Sequence, residues 1–365
     1  MLAPIRDYLS PKDPKMSPLL CATKDHYFRR LSVFVDPGHP GFEEARWIKS
    51  EDGNVEHLLD VFTLIDAASD DVWLAYGHFL GHLYWHNPRQ TLLGQRVEDL
   101  PDDHPSKPVC LFELSRLLDK VGKFTEEKEL LIRALKLERE RGNDARTAQA
   151  LRFLCDTNRM LGQYEEGMEQ VREALQILER IGDVPGQAIC LVDLGQSLLN
   201  AGQLDAAEET ASRAIDLISG EGQPFVTCRS HRILGNVYHA KGERGKAIEN
   251  LKTAIAIASP FEFHGQLFWI HWELAEVFLD EGDFDSAQVH ANQAESHIVG
   301  DTHSLGYVME MRAKIWRRQN RLEDARAEVL HAMEVYEKFG LSGDLENCRA
   351  LLQEIERDRS KNKSI

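Results

Sequence analysis

Three histidines recur at intervals of four residues and could together bind a metal ion. His78, His82 and His86 would share one face of a helix, and imidazole is a common zinc ligand. However, Phe79 stands where a His-Glu zinc motif has its glutamate, and neither a suitably spaced carboxylate nor a cysteine pair supports the site. We therefore expect half-buried surface histidines here, with no metal and no cofactor. An enzyme that uses these three histidines is the catalytic alternative.

Sequence motifs for phosphate binding and nucleophilic catalysis are absent. The chain has no G-x-x-x-x-G-K-[ST] loop, and the nearest run, from Gly242 to Ala247, lacks the Ser or Thr that would bind magnesium. It has no G-x-S-x-G motif either. Its 6 cysteines include no C-x-x-C pair, so zinc-ribbon and thioredoxin-like chemistry is not indicated. The sequence therefore predicts a protein that is not an enzyme.

Composition and charge narrow the class of protein further. The 365 residues are 42% hydrophobic and 28% charged, as in a soluble folded protein. A formal net charge of −17 disfavours general binding to nucleic acid. The most apolar stretch, from Val72 to Trp85, is shorter than the roughly 20 residues that span a bilayer, and no segment resembles a targeting signal. We expect a cytoplasmic protein that binds neither nucleic acid nor membranes.

A period of 40 residues organises most of the chain. Glycines recur at this step at Gly122, Gly162, Gly202, Gly242 and Gly282. Alanines recur at Ala134, Ala174, Ala214, Ala254 and Ala294. A third series of small residues comprises Gly167, Ala207, Ala247, Ala287 and Ala325, with Glu127 departing in the first copy. A sixth copy follows after a step of 38, with Asn320, Leu322 and Ala332. These three series predict a repeat protein.

Each repeat is predicted to contain two helices. Residues 188–201 place Leu191, Leu194 and Leu198 on one apolar face, and Gly202 is suited to end this helix in the left-handed conformation. A second helix is expected from Asp205 to Leu217, with alanines along one face that permit close helix packing. One such hairpin cannot bury its apolar surface alone, so several repeats must stack.

The repeats resemble the tetratricopeptide repeat. The fourth copy matches its pattern best, at Leu234, Gly235, Tyr238, Gly242, Ala247, Leu251 and Ala254. His231 and His271 occupy the position of the usual Trp, and the period is longer than the common 34 residues. The resemblance implies an all-α, right-handed superhelix that binds other proteins. The long period is also similar to that of sensor arms in signalling ATPases, including the bacterial maltose-regulon activator type.

The order of segments resembles the C-terminal repeat arm of fungal NACHT or NB-ARC ATPases. The segments that carry this resemblance are SPLLCATKDHYFRRL, NVEHLLDVFTLIDAASDDVW and DLPDDHPSKPVCLFELSRLL. The nucleotide-binding motif of those proteins is missing here. We expect four parts: an irregular, proline-containing segment (1–50), a two-helix cap with a linker (51–107), six repeats (108–340), and a capping helix with a basic tail (341–365). The cap helices are expected at Asn54–Asp66 and Asp70–His86, and the closing helix at Asp344–Arg357.

The first helices of tetratricopeptide repeats line a concave groove, and the repeat step maps the corresponding positions here. The candidate groove residues are Arg152, Arg159, Arg229, Arg232, Asn236, His239, Trp269 and Trp272. Arginines that are not paired with local acids would favour an acidic protein or peptide, and the two tryptophans would serve as apolar anchors. Alternatively, these arginines pair with nearby Asp and Glu and bind nothing.

The sequence thus predicts a non-enzymatic scaffold or sensor arm that binds a partner polypeptide in its groove. A sensor of a small metabolite bound in the same groove is the alternative function. The oligomeric state stays open.

Overall fold

All regular structure in the described residues is helical. The computed structural model describes residues 92–219, 222–298, 303–339 and 341–362. The chain divides into two compact units, Met1–Gly182 and Asp183–Ile365. Unit one contains α1 (Leu92–Asp99), α2 (Lys107–Lys120), α3 (Phe124–Arg141), α4 (Asp144–Met160) and α5 (Tyr164–Ile181). Unit two contains α6 (Val184–Asn200), α7 (Leu204–Leu217), α8 (Pro224–Ala240), α9 (Arg244–Ala258), α10 (His264–Glu281), α11 (Phe284–Ser296), α12 (Ser304–Arg318), α13 (Leu322–Phe339) and α14 (Ser342–Asn362).

The predicted all-α class and the helix pairs of the six repeats are confirmed in these ranges. The proline-containing segment 1–50, the two cap helices and the histidine trio lie outside the described residues. The segment predicted to link the cap to the repeats contains the helix α1, which the sequence analysis does not predict. Lys107, which is 2% exposed, ties this helix to the first repeat. Its Nζ donates hydrogen bonds to the carbonyl oxygens of Val97 and, at 2.6 Å, Leu100, and thereby satisfies carbonyls at the end of α1.

The glycines of the 40-residue series end the first helix of each repeat, as predicted. Gly202 has φ +74°, its N–H donates to Leu199 O at 2.9 Å, and Gln203 N–H donates to Leu198 O at 2.9 Å. These are the two bonds of a Schellman cap, which requires a left-handed residue. In the sixth copy Asn320 takes the same position with φ +61°. Asn tolerates this conformation better than most residues, which explains why it can replace glycine there.

Small residues bring the two helices of each hairpin close together. In the third repeat Ala207, Ala211 and Ala214 of α7 are fully buried. A Cβ added at Gly235 of α8 would lie 2.6 Å from Leu251 Cγ of α9. The same addition at Gly306 would lie 2.6 Å from the ring of Tyr336. The side chain of the partner helix therefore fills the space that each glycine leaves.

Glu127 departs from the small-residue series and is nevertheless buried, with 3% exposure. Burial, followed by the charge of Asp119, raises the pKa of this carboxyl to about 9. Glu127 is therefore mostly protonated at neutral pH, and a hydrogen bond to Thr157 of the following repeat acts against the rise. The first repeat thus accommodates a neutral acid where later repeats have alanine or glycine.

The last helix covers the apolar surface of the final repeat. The predicted closing helix is confirmed and extends further, from Ser342 to Asn362. Cys348 and Ile355 are fully buried in one cluster with Tyr336 of α13. Five cysteines lie in the described residues, and all are buried thiols outside any disulfide: Cys110, Cys155, Cys190, Cys228 and Cys348.

We predict that the substitution Gly202→Val lowers the stability of unit two by about 1 kcal/mol or more, because a β-branched residue resists positive φ. Nothing lies within 4 Å of the added Cβ, so the loss would come from backbone strain and not from a clash. Gly245→Ala is the matched control, since it also adds a methyl group in open space but lies inside α9. Because Gly245 lies in the first turn of the helix, the substitution should leave stability unchanged or raise it slightly. Thermal denaturation measures both changes, and equal effects of the two substitutions would contradict the prediction.

Candidate functional site

The structure distributes the predicted groove residues over three first helices. Arg152 and Arg159 lie on α4 of unit one, whereas the other six lie on α8 and α10 of unit two. We use the term groove face for the surface that these six residues mark on unit two: Arg229, Arg232, Asn236, His239, Trp269 and Trp272. All six are half-buried. Arg159 of unit one lies beside Asp156 of its own helix, at 3.4 Å.

Arg229 is held by an acidic residue of the preceding repeat. Its Nη1 lies 3.0 Å from Oδ1 of Asp193 on α6, and the side chain of Asp193 is 0% exposed. The guanidinium also lies over the ring of Phe225, 5.8 Å from the centroid. A buried carboxylate next to a guanidinium makes a pair that costs much to break, because either charge alone is poorly solvated there. Arg229 therefore has a structural role in joining successive repeats.

Arg232 and Asn236 meet one buried carboxyl of the following repeat. Asn236 Nδ2 donates to Glu273 Oε1 at 2.7 Å, and Arg232 Nη1 lies 3.8 Å from the same oxygen. Arg232 Nη2 also donates to Gln196 Oε1 at 3.3 Å. Burial raises the pKa of Glu273 to about 7 and outweighs the opposing effects of Arg232 and Asn236. The carboxyl group of Glu273 is therefore only partly ionised near neutral pH, whereas Arg232 stays charged.

The remaining groove-face residues are also bound to neighbouring repeats. His239 Nε2 lies 3.0 Å from Oδ2 of Asp280. Trp272 Nε1 donates to the carbonyl oxygen of Tyr307 at 3.2 Å. Trp269 packs against Tyr307, with ring centroids 5.2 Å apart, and against Trp272 at 6.1 Å. Polar and aromatic side chains thus form a ladder of contacts from repeat to repeat, which we call the pairing ladder.

The expectation that the arginines are unpaired is wrong for Arg159, Arg229 and Arg232, and the alternative of local pairing describes their geometry. Asp193 and Glu273, the acids involved, are not among the predicted groove residues, which are basic, aromatic or amide side chains. Their signal is present in the sequence: buried acids recur every 80 residues, in alternate first helices, at Glu113, Asp193 and Glu273. Glu113 lies 3.1 Å from Arg116. In each case an acid within an apolar helix face indicates a basic partner nearby.

A separate surface pocket of about 330 Å³ lies in unit one, and none of the predicted groove residues lines it. It is formed at the turns around Gly142, where Arg139 lies 2.5 Å from Glu173 and Arg180 lies 2.8 Å from Asp144.

Among the described side chains, no group of three or more histidines, cysteines or acids is arranged to hold a metal ion. None of the described helices combines the length and apolar content that crossing a membrane requires.

We predict that Arg229→Gln destabilises unit two by about 3 kcal/mol, because it takes the guanidinium away from a buried carboxylate. The double variant R229Q/D193N removes both charges and should recover much of the loss. Urea denaturation of the two variants and the parent chain measures the difference. If the single and double variants are equally unstable, the buried charge is not the cause.

Solved structures with the same fold include the following two complexes and a tetratricopeptide repeat protein. The chain matches a Rap protein complexed with Competence and Sporulation Factor at 12% identity, with a TM-score of 0.59, over 92% of this chain and 99% of that one. It matches the APC/C hetero-tetramer Cut9–Hcn1 at 17% identity and a TM-score of 0.52, over 97% of this chain and 59% of that one. A tetratricopeptide repeat protein from Parabacteroides merdae matches at 13% identity and a TM-score of 0.52, over 91% of this chain and 98% of that one. At these identities the likeness concerns the fold.

The family comparison is more specific. Comparison with the curated proteins gives no match. Residues 115–362 match the family described as the MalT-like TPR region. This range contains the repeat glycines, the small-residue series and every predicted groove residue, and it exceeds half of the 365 residues. The chain therefore belongs to the MalT-like TPR region family and has its all-α, tetratricopeptide-like repeat fold.

Proposed function

We propose that the chain is a non-catalytic interaction module, either a scaffold or the sensor arm of a signalling protein, and that it binds a polypeptide on the groove face. The pairing ladder beside Trp269 and Trp272 is the observation that carries this proposal. Because internal contacts already orient Arg232 and Asn236, these side chains lose less conformational entropy when a ligand binds them. Tryptophan and arginine are also the residues that most often dominate binding energy at interfaces.

Two comparisons support a binding role. A Rap protein complexed with Competence and Sporulation Factor and the Cut9–Hcn1 hetero-tetramer both have this fold, and both were solved as complexes. The MalT-like family supports the sensor-arm version of the proposal, in which the repeats act together with a nucleotide-binding ATPase. Arg152 and Arg159 would then belong to a further contact region on unit one.

The chemistry of the ladder indicates where an acidic ligand group would bind. Arg229 lies 3.0 Å from a fully buried carboxylate, so a ligand competes poorly for it. Arg232 lies 3.8 Å from Glu273, and burial raises the pKa of that carboxyl to about 7. A ligand carboxylate can therefore replace a partner that is only partly ionised, and the fork of Arg232 can hold it in a bidentate geometry. Arg232 is our proposed contact for an acidic group, with Asn236 beside it.

We predict that the double variant R232Q/E273Q loses the partner that the parent chain captures from cells, while helicity and melting temperature change little. It removes Arg232 together with its acidic partner, so that no charge stays buried without a partner. A single substitution would leave one. The control K246Q/E243Q neutralises an exposed pair of unit two at 2.6 Å and should capture the partner normally. Capture by the parent chain should weaken with added salt.

Native mass spectrometry of the purified chain distinguishes a polypeptide ligand from a small molecule. A polypeptide that is present with the parent chain and the control, and absent with R232Q/E273Q, supports the proposal. Equal capture by all three proteins would place binding elsewhere. A bound metabolite that disappears in R232Q/E273Q would favour the small-ligand sensor.

A further inference from the structure

Four histidines of unit two form a continuous column between α10 and the end of α11. His271 Nδ1 lies 3.0 Å from His290 Nδ1, and His264 Nδ1 lies 3.4 Å from His297 Nδ1. The rings of His271 and His297 are almost parallel, at 5°, with centroids 5.6 Å apart. Phe278 stacks on His290 at 5.4 Å and covers that end of the column. We call these four side chains the histidine column.

Each Nδ1 pair in the column has room for a single proton. A hydrogen bond between two imidazole nitrogens needs one N–H donor and one lone pair. If both Nδ1 atoms of His271 and His290 carried protons, two N–H groups and two positive charges would face each other across 3.0 Å. The same holds for His264 and His297 at 3.4 Å. The fully protonated column is therefore incompatible with this packing of the helices.

The surroundings of the column do not compensate for positive charge. His271 is 6% exposed, and burial, followed by His290 and His297, lowers its pKa to about 4. Burial also lowers the pKa of His290 and, together with His264, that of His297. From α9, Lys252 lowers the pKa of His290 further, whereas a hydrogen bond to Gln293 of α11 acts against this change. Among the described residues, no carboxylate from α8, α9 or α12 acts on these three imidazoles.

The same place in the four preceding repeats holds no pair of histidines. In the fourth repeat, 40 residues earlier, His231 Nδ1 lies 3.0 Å from an amide oxygen, Oδ1 of Asn250. In the first three repeats the position of His271 holds leucine, at Leu111, Leu151 and Leu191. The fold therefore does not require a histidine pair at this position, and the fifth repeat has such a pair where the four preceding repeats have none.

We propose that the histidine column makes the α10–α11 pair an acid-sensitive element, which is closed near neutral pH and opens when the column is protonated. Trp269 and Trp272 lie on α10 together with His264 and His271. Opening of the pair therefore disturbs the groove face as well. This inference concerns the chain alone, so its test needs no partner and does not depend on the proposed function.

The direction of the pH effect follows from the two states of His271. Its pKa is 6.5 in the unfolded reference and about 4 in the folded chain, so the unfolded state takes up the proton first as pH falls. The contribution of a neutral His271 to stability is present above pH 6.5 and is lost between about pH 6.5 and 4. For this residue alone, the equilibrium constant for unfolding should rise about 30-fold from pH 8 to pH 5.

The experiment compares urea denaturation of the full chain at pH 8 and pH 5, followed by tryptophan fluorescence and by hydrogen exchange of α10 and α11. His271→Leu introduces the residue of the first three repeats, and the parent chain should be more acid-sensitive than this variant by about 30-fold in the unfolding constant. His290→Asn converts the pair into that of the fourth repeat and should give an intermediate response. His331→Gln removes an exposed histidine of α13 and should match the parent chain.

Acid-induced exchange that is confined to α10 and α11 in the parent chain and absent in H271L supports the proposal. Parallel pH dependence of the parent chain and H271L would overturn it. An equal loss of acid sensitivity in H331Q would also overturn it, since the effect would then not belong to the column. If H271L fails to fold, H290N replaces it in the comparison with the parent chain. Acid sensitivity equal to that of the parent chain would then overturn the proposal.

Discussion

The close approach of two helices within each hairpin is the constraint on which the rest of the structure depends. Gly235 and Gly306 leave space that Leu251 and Tyr336 fill, and a methyl group at either glycine would lie 2.6 Å from its neighbour. This approach fixes the rotation of each first helix, since only one face of it can pack so tightly. Other faces of the same helix then carry the residues that reach adjacent repeats, such as Arg232 and Asn236 beside Gly235. The pairing ladder depends on this packing, whereas the histidine column lies between the two helices of a single hairpin.

Features that repeat along the chain were predictable because each depends on a few adjacent residues. The turn at Gly202 requires positive φ, and the same requirement recurs 40 residues apart, so the sequence shows it several times over. Asn320 was identified from the same series in spite of its different side chain. The helix α1 was missed, since a short helix fixed by a lysine from outside it has little periodicity to detect.

The spacing of acids within apolar helix faces indicates that partners exist in neighbouring repeats, but residue type and spacing alone do not identify each partner. Arg229 meets Asp193 and Asn236 meets Glu273 at separations of 36 and 37 residues, but Arg232 lies within one turn of Arg229 and Glu276 within one turn of Glu273. The choice among them depends on side-chain rotamers and burial, which no single helix determines. The histidine column lies within one repeat and was missed for a related reason. Its members come from two helices and a helix end, so no spacing within one helix predicts them.

The buried cysteines make local opening of the chain measurable through the reaction of their thiols. Cys110, Cys155, Cys190 and Cys228 lie in the first helices of four successive repeats, and Cys348 lies in the closing helix, all shielded from solvent. A thiol reagent can reach each sulfur only when its own part of the chain opens. Modification rates at the five positions would therefore rank the repeats by how often they open, without any engineered label.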